Sequence, residues 1–388
     1  TGLALSADGT RMLVATVASV MAGEADYPAW LWDTVTGARL QRFTGHEAPM
    51  TAVAFFTPGS SSARVLTASL DKTVRVWNAG TGQLLDTLRG HSRGILALAV
   101  APDGGQILTG SADTTARLWD VATGVSQPLL GHTRAVTTVA FSPDGDRLLT
   151  GSEDGTARLW DRVSRQRLQT LQGHRQAMLA AVFVPPGGHH VLTGSRDGTA
   201  RLWDSETGTT QRLWVGGHAD GISSLALSPS GSEVVTGSWD GTVQLWDSVT
   251  GANLRTLAGP TTQVNAVAYF VGPTGARVLT GSADGTARLW DRTTGELLAT
   301  FPGPVSSAPV LAVAFSPDGA QVLTGHGAGD PVARLWDVAT EENVWTFADH
   351  HTEGVTAVAF ASDGTRILTG SEDASAVLWD AHSGNQIA

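Results

Sequence analysis

A thirteen-residue phrase recurs along the chain, and this repetition limits the possible folds more than any other feature. LTGSADGTARLWD spans residues 279–291, and nearly the same letters stand at 108–120, 149–161 and 192–204. A Trp followed by Asp, or once by Asn, occurs nine times at intervals of 41 to 46 residues. A period of this length is typical of an array whose units are each one supersecondary motif. We therefore expect nine similar units rather than unrelated domains.

Each unit has the pattern of four short strands. In the last unit, VTAVAF (355–360), RILTGS (366–371) and SAVLWD (375–380) are separated by turn sequences. A turn such as SPDG (142–145) supplies a Pro with preset φ and a Gly that accepts a left-handed conformation. A fourth strand, as in QLLDTL (83–88), follows the Trp-Asp pair and leads to a Gly-His pair. The pattern predicts an all-β fold of four-stranded antiparallel propeller blades.

The Gly-His and Trp-Asp pairs resemble those of the WD-repeat β-propellers, and the resemblance covers essentially the whole chain. It implies one propeller over residues 1–388. The implied blades are approximately 1–44, 45–89, 90–130, 131–172, 173–216, 217–258, 259–302, 303–348 and 349–388. We favour nine blades in one ring, and a seven-bladed ring plus part of a second is the alternative.

The resemblance also implies a hydrogen-bonded tetrad inside each blade. Its members are a His after the fourth strand, a Thr on the second strand, the Asp of the next turn and the Trp of the third strand. Carried over by position, the tetrads are His91, Thr109, Asp113 and Trp119; His132, Thr150, Asp154 and Trp160; His174, Thr193, Asp197 and Trp203; and His218, Thr236, Asp240 and Trp246. Hydroxyl, His and Asp also form hydrolase triads, but a catalytic set is needed only once, whereas this set recurs. We interpret the tetrads as structural.

Some units depart from the tetrad pattern, and we expect units one, seven and eight to be less stable. Pro260 and Pro304 stand where His is expected in the seventh and eighth units. Counting ten residues back from Trp places His326 at the Thr position of the eighth unit and Ala22 at that of the first. The last unit offers His351.

Positions that vary from unit to unit are candidates for partner binding. The resemblance implies that the residue before the turn Asp, with two positions at the start of the innermost strand, projects onto one rim of a central channel. Reading along the chain, the residues before Asp are Ala25, Leu70, Ala112, Glu153, Arg196, Trp239, Ala283, Gly329 and Glu372. The innermost strands add Leu96, Leu179, Gln263 and Asn265. Trp239 and Arg196 are the strongest candidates, because Trp and Arg dominate binding hot spots.

Two other groups of residues are given structural interpretations. Arg162, Arg165, Arg167 and Arg175 surround one outer strand and are expected to form a charged edge that prevents strand pairing. His189 and His190 are adjacent in a turn, where a third metal ligand is not evident. No cofactor and no metal site are therefore predicted.

Composition narrows the classes of partner. The net charge is −11, but seventeen of the 36 acidic residues are either a turn Asp or the Asp after Trp, so much of this charge belongs to the repeat. Nucleic-acid binding is disfavoured because the chain has two Tyr, one Lys and no polybasic stretch. No apolar run approaches the ~20 residues of a membrane span.

Together these features predict a non-catalytic protein-interaction scaffold or sensor platform that binds a protein or peptide partner at the rim. The chain begins with Thr1 and is expected to be part of a larger multidomain protein, with an attached signalling domain as one arrangement. The alternatives are a ligand-sensing regulatory domain of a signalling enzyme and, less favoured, a carbohydrate or nucleic-acid binder. A cytoplasmic location is expected.

Overall fold

A computed structural model provides the three-dimensional structure of the chain. It describes residues 3–6, 10–15, 19–21, 24–34, 36, 38–56, 63–184, 188–214, 217–257, 262–273, 275–303, 308–348, 350–361, 363–373 and 375–387. The chain divides into two compact units, Thr1–Arg212 and Leu213–Ala388. Each described element is a β-strand, and the described residues contain no helix, hence none that could cross a membrane.

The first unit holds five four-stranded sheets, which we call blades 1 to 5, except that the last two residues of blade 5, Leu213 and Trp214, are assigned to the second unit. Blade 1 has the strand order β1-β2-β5-β6, with a separate hairpin β3-β4, and blades 2 to 5 each follow chain order. The strands are β1 (Leu3–Leu5), β2 (Arg11–Ala15), β3 (Ser19–Met21), β4 (Glu24–Asp26), β5 (Ala29–Asp33), β6 (Arg39–Phe43), β7 (Met50–Phe56), β8 (Arg64–Ser69), β9 (Thr73–Asn78), β10 (Leu84–Arg89), β11 (Ile95–Val100), β12 (Gln106–Ser111), β13 (Ala116–Asp120), β14 (Ser126–Leu129), β15 (Val136–Phe141), β16 (Arg147–Ser152), β17 (Thr156–Asp161), β18 (Arg167–Gln172), β19 (Met178–Val184), β20 (His190–Ser195), β21 (Ala200–Asp204) and β22 (Thr210–Trp214).

The second unit holds blades 6 to 9. Blades 6 to 8 are four-stranded, and blade 9 has three strands plus an isolated bridge between Trp379 and Gln386 where a fourth strand would run. The strands are β23 (Ile222–Leu227), β24 (Glu233–Ser238), β25 (Val243–Asp247), β26 (Asn253–Leu257), β27 (Val264–Gly272), β28 (Gly275–Ser282), β29 (Thr286–Asp291), β30 (Leu297–Pro302), β31 (Val310–Phe315), β32 (Gln321–His326), β33 (Ala333–Asp337), β34 (Asn343–Phe347), β35 (Val355–Phe360), β36 (Arg366–Ser371) and β37 (Ala376–Asp380). The prediction of an all-β fold built of nine antiparallel blades is confirmed.

The core lies between consecutive blades, which explains the nearly continuous apolar second strands. Residues of β20 are buried without alternation, and so are those of β12 and β16. Trp203 of blade 5 joins one buried cluster with Leu159 and Leu171 of blade 4. A sheet covered on both faces has no solvent-facing row, so the pattern of period two is lost. The recurring Trp thus fills the space between its own blade and the preceding one.

Glycine residues with positive φ occur in the turns at both ends of a blade. Gly145, between the first and second strands of blade 4, has a φ of 80°, and Gly155, between the second and third strands, also has a φ of 80°. A side chain with a Cβ is strained in this left-handed conformation, so Gly is favoured in SPDG and DGT, although Lys72 and Thr114 take the DGT position in blades 2 and 3 with φ of 76° and 72°.

Candidate functional site

The tetrad of blade 3 forms a continuous chain of hydrogen bonds. Trp119 Nε1–H donates to Thr109 Oγ1 at 2.8 Å, Thr109 Oγ1 lies 2.8 Å from His91 Nε2, and His91 Nδ1 lies 2.8 Å from an oxygen of Asp113. The indole group fixes the direction of the chain, because it can only donate. The Thr hydroxyl then donates to His Nε2, and His Nδ1–H donates to the carboxylate.

Electrostatics favour a neutral His and an ionised Asp in this chain. Burial lowers the pKa of His91, although Asp113 opposes the effect. Burial raises the pKa of Asp113, but hydrogen bonds from Thr115, the Ser92 N–H and His91 outweigh it and bring that pKa to about 2. Near neutral pH the carboxylate is therefore a permanent acceptor, and it holds the loop after the fourth strand against the next hairpin.

The Thr hydroxyl of the tetrad is poorly placed for catalysis. Thr109 is fully buried, and its oxygen is engaged by both Trp119 and His91. A nucleophile must reach a substrate, so this geometry supports strand cohesion rather than attack on a bond. The same links occur around His132, His174 and His218, and also in blades 2 and 9 around His46 and His351.

A fifth residue that sequence reasoning missed completes the network. Thr115, two residues after Asp113, donates its hydroxyl to the carboxylate at 2.7 Å and lies 3.3 Å from His91 Nδ1. In blades 5 and 6 this hydroxyl is the nearer partner, because Thr199 and Thr242 lie 2.9 and 2.8 Å from His Nδ1. The repeated Thr of DGT was the available signal.

Blade 8 corrects the prediction that His326 occupies the Thr position. Trp336 Nε1–H donates to Thr324 at 3.0 Å, so Thr324 is the tetrad hydroxyl. His326 Nε2 lies 2.9 Å from the same oxygen, in the role that the Gly-His histidine has elsewhere. The hairpin after β32 is two residues longer than usual, so counting back from Trp misplaced the Thr. Burial, aided by Arg334, lowers the pKa of His326 to about 4, which keeps its ring neutral.

In blades 7 and 8 an arginine pairs with the turn Asp. Arg288 contacts Asp284 at 2.9 Å, and Arg334 contacts Asp330 at 2.7 Å. In these two units Pro stands where the His of the Gly-His pair is expected, and Pro260 and Pro304 themselves lie outside the described residues. The prediction that units one, seven and eight are less stable remains a prediction.

Blade 1 also requires a correction, because Ala22 is not at its Thr position. Met12 pairs with Trp32 across the sheet, as Ile107 pairs with Trp119 in blade 3, so the residue two positions later, Val14, replaces Thr. The extra hairpin β3-β4 shifted the count. Ala22 itself lies outside the described residues.

The predicted rim positions share one backbone hydrogen bond in blades 2 to 9. The N–H of the residue that follows the second strand donates to a carbonyl just before the first strand, over 2.8 to 3.0 Å. The pairs are Leu70–Pro49, Ala112–Gly94, Glu153–Ala135, Arg196–Ala177, Trp239–Gly221, Ala283–Gln263, Gly327–Pro309 and Glu372–Gly354. In blade 8 this bond is made by Gly327, so the position equivalent to the other predicted rim residues is Gly327 and not Gly329. Because the bond uses only backbone atoms, any side chain is compatible with it.

The second of the two predicted rim positions at the start of the innermost strand is a β-bulge. In blade 3 the register shifts between Ile95 and Ala97, so Leu96 is the extra residue of its strand. A bulge re-aims a side chain and tightens local twist. The same shift isolates the following residues at the equivalent positions: Thr51, Thr137, Leu179, Ser223, Asn265, Leu311 and Thr356.

Some bulge side chains tie neighbouring blades together. Thr51 donates to the carbonyl of Ile95, Ser223 contacts that of Val264, and Asn265 Nδ2 donates to that of Val310 at 3.0 Å. Each acceptor belongs to the innermost strand of the next blade. Asn265 is thus half-buried and engaged in the fold, in addition to its predicted role in partner binding.

The candidate rim residues differ in exposure. Leu70 and Leu179 are exposed, whereas Leu96 and Trp239 are half-buried. The charged and amide candidates that are exposed are Glu153, Arg196, Gln263 and Glu372. Trp239 belongs to the second unit and Arg196 to the first.

Local packing brings a few rim positions together. Leu70 of blade 2 covers Gly94 of blade 3, where an added Cβ would lie 2.8 Å from Leu70 Cδ2. In the second unit, Gly354 is surrounded by Leu311, Glu372 and Gly327 at 3.1 to 3.2 Å from its Cβ position. Leu311 was missed because counting from His gives no position in the eighth unit.

Arg162 does not belong to the charged edge predicted for it. Its guanidinium contacts Gln106 and Asp103 of blade 3, both at 2.7 Å, and the carbonyl of Gly145 at 3.2 Å. It therefore fills a groove between blades 3 and 4. His189 is exposed and lies 3.7 Å from Glu206, and no described group of three His, Asp or Glu could hold a metal ion.

The sequence of the chain matches the family model of the WD domain, G-beta repeat, in eight segments. They are residues 37–78, 82–120, 125–161, 165–204, 209–247, 251–291, 295–337 and 341–380. The chain belongs to the WD domain, G-beta repeat family. WD-repeat propellers are generally non-catalytic scaffolds that bind proteins, and the buried tetrads described above are consistent with that general property.

Individual proteins with curated names share shorter regions with this WD-repeat chain. Mitogen-activated protein kinase kinase kinase A of Dictyostelium discoideum is 34% identical over 94 residues, which are 24% of this chain and 10% of that protein. Pre-mRNA-processing factor 19 homolog 2 of Arabidopsis thaliana is 41% identical over 86 residues, 21% of this chain and 16% of that protein. These matches span a small part of each relative.

One solved structure is similar over most of the WD-repeat chain. The crystal structure of the computationally designed Ika8 protein superposes with a TM-score of 0.68 and 31% identity. The alignment covers 88% of this chain and 99% of that one.

Proposed function

We propose that this WD-repeat chain is a non-catalytic protein-interaction scaffold or sensor platform that binds a protein or peptide partner through its rim positions. One observation carries the proposal: eight blades hold the rim residue by the same backbone hydrogen bond, while its side chain changes from Leu to Glu, Arg or Trp. A frame that is constant in its backbone and variable in its side chains suits recognition of a specific partner.

Trp239 and Arg196 are proposed as binding anchors, each in its own unit. Trp239 is half-buried at a position that is small or charged in most blades, and Arg196 is exposed. Large aromatic side chains and Arg supply most of the energy at interface hot spots. Glu153, Glu372 and Gln263 would supply polar contacts, and Leu70, Leu96 and Leu179 apolar ones.

A displayed library of random peptides tests the proposal, because it samples many partner sequences at once. Peptides are selected on the wild-type chain, and their affinities are then measured for Trp239→Ala and Arg196→Ala. Loss of a true anchor should weaken binding by roughly thirtyfold, equivalent to about 2 kcal/mol.

Trp345→Ala is the matched control, because Trp345 is a 36% exposed Trp on the fourth strand of blade 8. All variants are first compared by thermal melting. If the selected peptides bind both rim variants as tightly as wild type, or are lost only with Trp345→Ala, the rim is not the binding surface.

A regulatory role inside a signalling enzyme is the second candidate. One matching relative is named as a mitogen-activated protein kinase kinase kinase, although the match covers only 10% of that protein. In this case an attached enzymatic domain would change its activity when the rim is occupied. Measuring the activity of the full-length protein with and without a selected peptide tests this version.

A cytoplasmic location stays a prediction, which imaging of a fluorescent fusion protein would check.

A further inference from the structure

The groove between blades 3 and 4 binds a guanidinium group, and this group belongs to the chain's own Arg162. Arg162 follows the Trp-Asp pair of blade 4 and donates to Gln106 Oε1, Asp103 Oδ2 and the Gly145 carbonyl. Its guanidinium also lies 5.6 Å from the ring centroid of Phe141. Three acceptors and one aromatic face thus surround one planar cation.

The groove between blades 8 and 9 repeats these surroundings without the arginine. Counted from the repeat, Gln321 corresponds to Gln106, Asp318 to Asp103 and Gly364 to Gly145. Phe360 ends the first strand of blade 9, as Phe141 ends that of blade 4. The residue after the Trp-Asp pair is Ala381 instead of Arg.

The Gly and Pro residues that line the two grooves also lie at the same distance from each other. A Cβ placed on Gly145 would lie 3.5 Å from Pro102 Cδ, and one placed on Gly364 would lie 3.5 Å from Pro317 Cδ. The difference is the guanidinium, which lies 3.2 Å from the Gly145 position. Between blades 8 and 9 a cavity of about 380 Å³ remains instead, lined by Asp318, Gln321 and Ala381 among others.

The Asp318 carboxylate in this cavity is oriented like the Asp103 carboxylate in the filled groove. Asp103 Oδ1 accepts the Gly105 N–H at 2.9 Å and leaves Oδ2 to Arg162. Asp318 Oδ1 likewise accepts the Ala320 N–H, at 3.0 Å, and among the described residues no donor reaches its Oδ2. The Ser316 hydroxyl and the Ala320 N–H lower the pKa of Asp318, so it is ionised at neutral pH.

We propose that the groove at Ala381 binds the arginine side chain of a peptide or protein partner, with Asp318, Gln321 and the Gly364 carbonyl as its acceptors. Guanidinium fits better than ammonium, because its planar fork donates in several fixed directions at once. The mouth of the groove is open, since Asp363, Thr365 and His382 at its edge are exposed. A peptide can therefore continue past the bound side chain.

This site is independent of the proposed function of the rim. The groove lies at the turns between first and second strands, whereas the rim positions lie at the turns between second and third strands, at the other end of each blade. Failure of one proposal therefore leaves the other intact.

The first experiment is a titration of the whole chain with N-acetyl-arginine methylamide, followed by calorimetry and by the backbone amide signal of Gly364. N-acetyl-citrulline methylamide is the isosteric neutral control, and N-acetyl-lysine methylamide tests charge alone. We expect the arginine probe to bind at least about tenfold more tightly than either control. The citrulline probe has no charge to pair with Asp318, and the lysine probe lacks the planar set of N–H donors of a guanidinium group. Equal binding of arginine and citrulline probes would overturn the proposal.

Two variants identify the groove. Ala381→Arg should fill it from within, as Arg162 fills its own, and abolish binding while keeping or raising the melting temperature. Asp318→Asn should weaken binding by about tenfold or more. Binding of the probe to Ala381→Arg with wild-type affinity would rule the groove out.

A variant that should gain a second binding site provides an independent test. Arg162→Ala empties the groove between blades 3 and 4, so the stoichiometry of the arginine probe should rise from one to two. A stoichiometry that stays at one in the folded variant would show that these acceptors do not suffice for binding. Free arginine serves as the source control: if it binds more tightly than the capped probe, the ligand is the free amino acid and the partner proposal is wrong.

Discussion

His326 Nε2 lies 2.9 Å from Thr324 Oγ1, two residues earlier on the same strand. In blades 2 to 6 and in blade 9 the corresponding His reaches its Thr from the loop that follows a fourth strand. Blade 8 therefore keeps the partner of the Thr hydroxyl while changing the part of the chain that supplies it. The ring also contacts Gly303, whose Cβ position is 3.1 Å from His326 Cε1.

His326→Ser is expected to destabilise the chain by about 2 kcal/mol. Serine is the residue that most other blades have at this position, so the backbone of the strand accepts it and the change removes only the imidazole ring. The fully buried imidazole is lost together with its hydrogen bond to Thr324, and a cavity remains. Urea denaturation followed by tryptophan fluorescence measures the effect.

The double variant Pro304→His, His326→Ser serves as the rescue, because it creates the Gly-His sequence that precedes blades 2 to 6. Recovery of half or more of the lost stability would identify the hydrogen bond as the cause. A single variant as stable as wild type would show that Thr324 does not need this partner.

Trp203→Ala is expected to lower the free energy of unfolding by about 3 to 5 kcal/mol. Trp203 is 1% exposed, packs against blade 4 and donates to Thr193 at 2.8 Å. The matched change Trp345→Ala should lower the free energy of unfolding by a smaller amount, about 1 to 2 kcal/mol, because that side chain is 36% exposed. Similar melting temperatures for the two variants would contradict the structural role of the tetrad Trp.

The repeat period was sufficient to predict the blades, but counting along it failed where hairpins change length. The tenth residue before Trp is the tetrad Thr only when the hairpin between the second and third strands has the same length as in the DGT units. In blade 8 the tripeptide LTG at 323–325 would have identified Thr324, because strand register follows the buried apolar residues and not the loop length. Blade 1 has no such tripeptide, and Val14 could be found only from the pairing of Met12 with Trp32.

The rim positions were predictable as variable residues, but their backbone setting was not. A β-bulge leaves no pattern in side-chain chemistry, so the isolation of Leu96 or Asn265 from the ladder appears only in the register. The arginine groove was hidden for a related reason. Arg162 looks like one more surface charge until its acceptors, which come from the preceding blade, are placed beside it.

Gly94→Ala is expected to destabilise the contact between blades 2 and 3 by about 1 to 2 kcal/mol. The added Cβ would lie 2.8 Å from Leu70 Cδ2 and 3.0 Å from Leu70 Cα, so a backbone atom must move. Gly80→Ala is the control, because its Cβ would meet only Asn78 Oδ1 at 3.4 Å. Equal melting temperatures for the two variants would contradict the close approach of Leu70.

Acidification should destabilise the chain through His174, whose pKa burial lowers to about 4. An unfolded His titrates near its ordinary value of 6.5, so between these two values the unfolded chain binds more protons than the folded one. The contribution of His174 is complete above pH 6.5 and is lost as the pH falls through the window from 6.5 to 4. The slope within it approaches about 1.4 kcal/mol per pH unit.

His174→Asn isolates this contribution from that of the other histidines. The stability difference between wild type and variant, measured by urea denaturation at several pH values, should shrink as the pH falls from about 6.5 towards about 4.5. A difference that stays constant over this range would mean that His174 has the same pKa in both states. Its ring would then be protonated as easily in the folded blade as in the unfolded chain, and the bond that Thr193 donates to Nε2 would have to reverse.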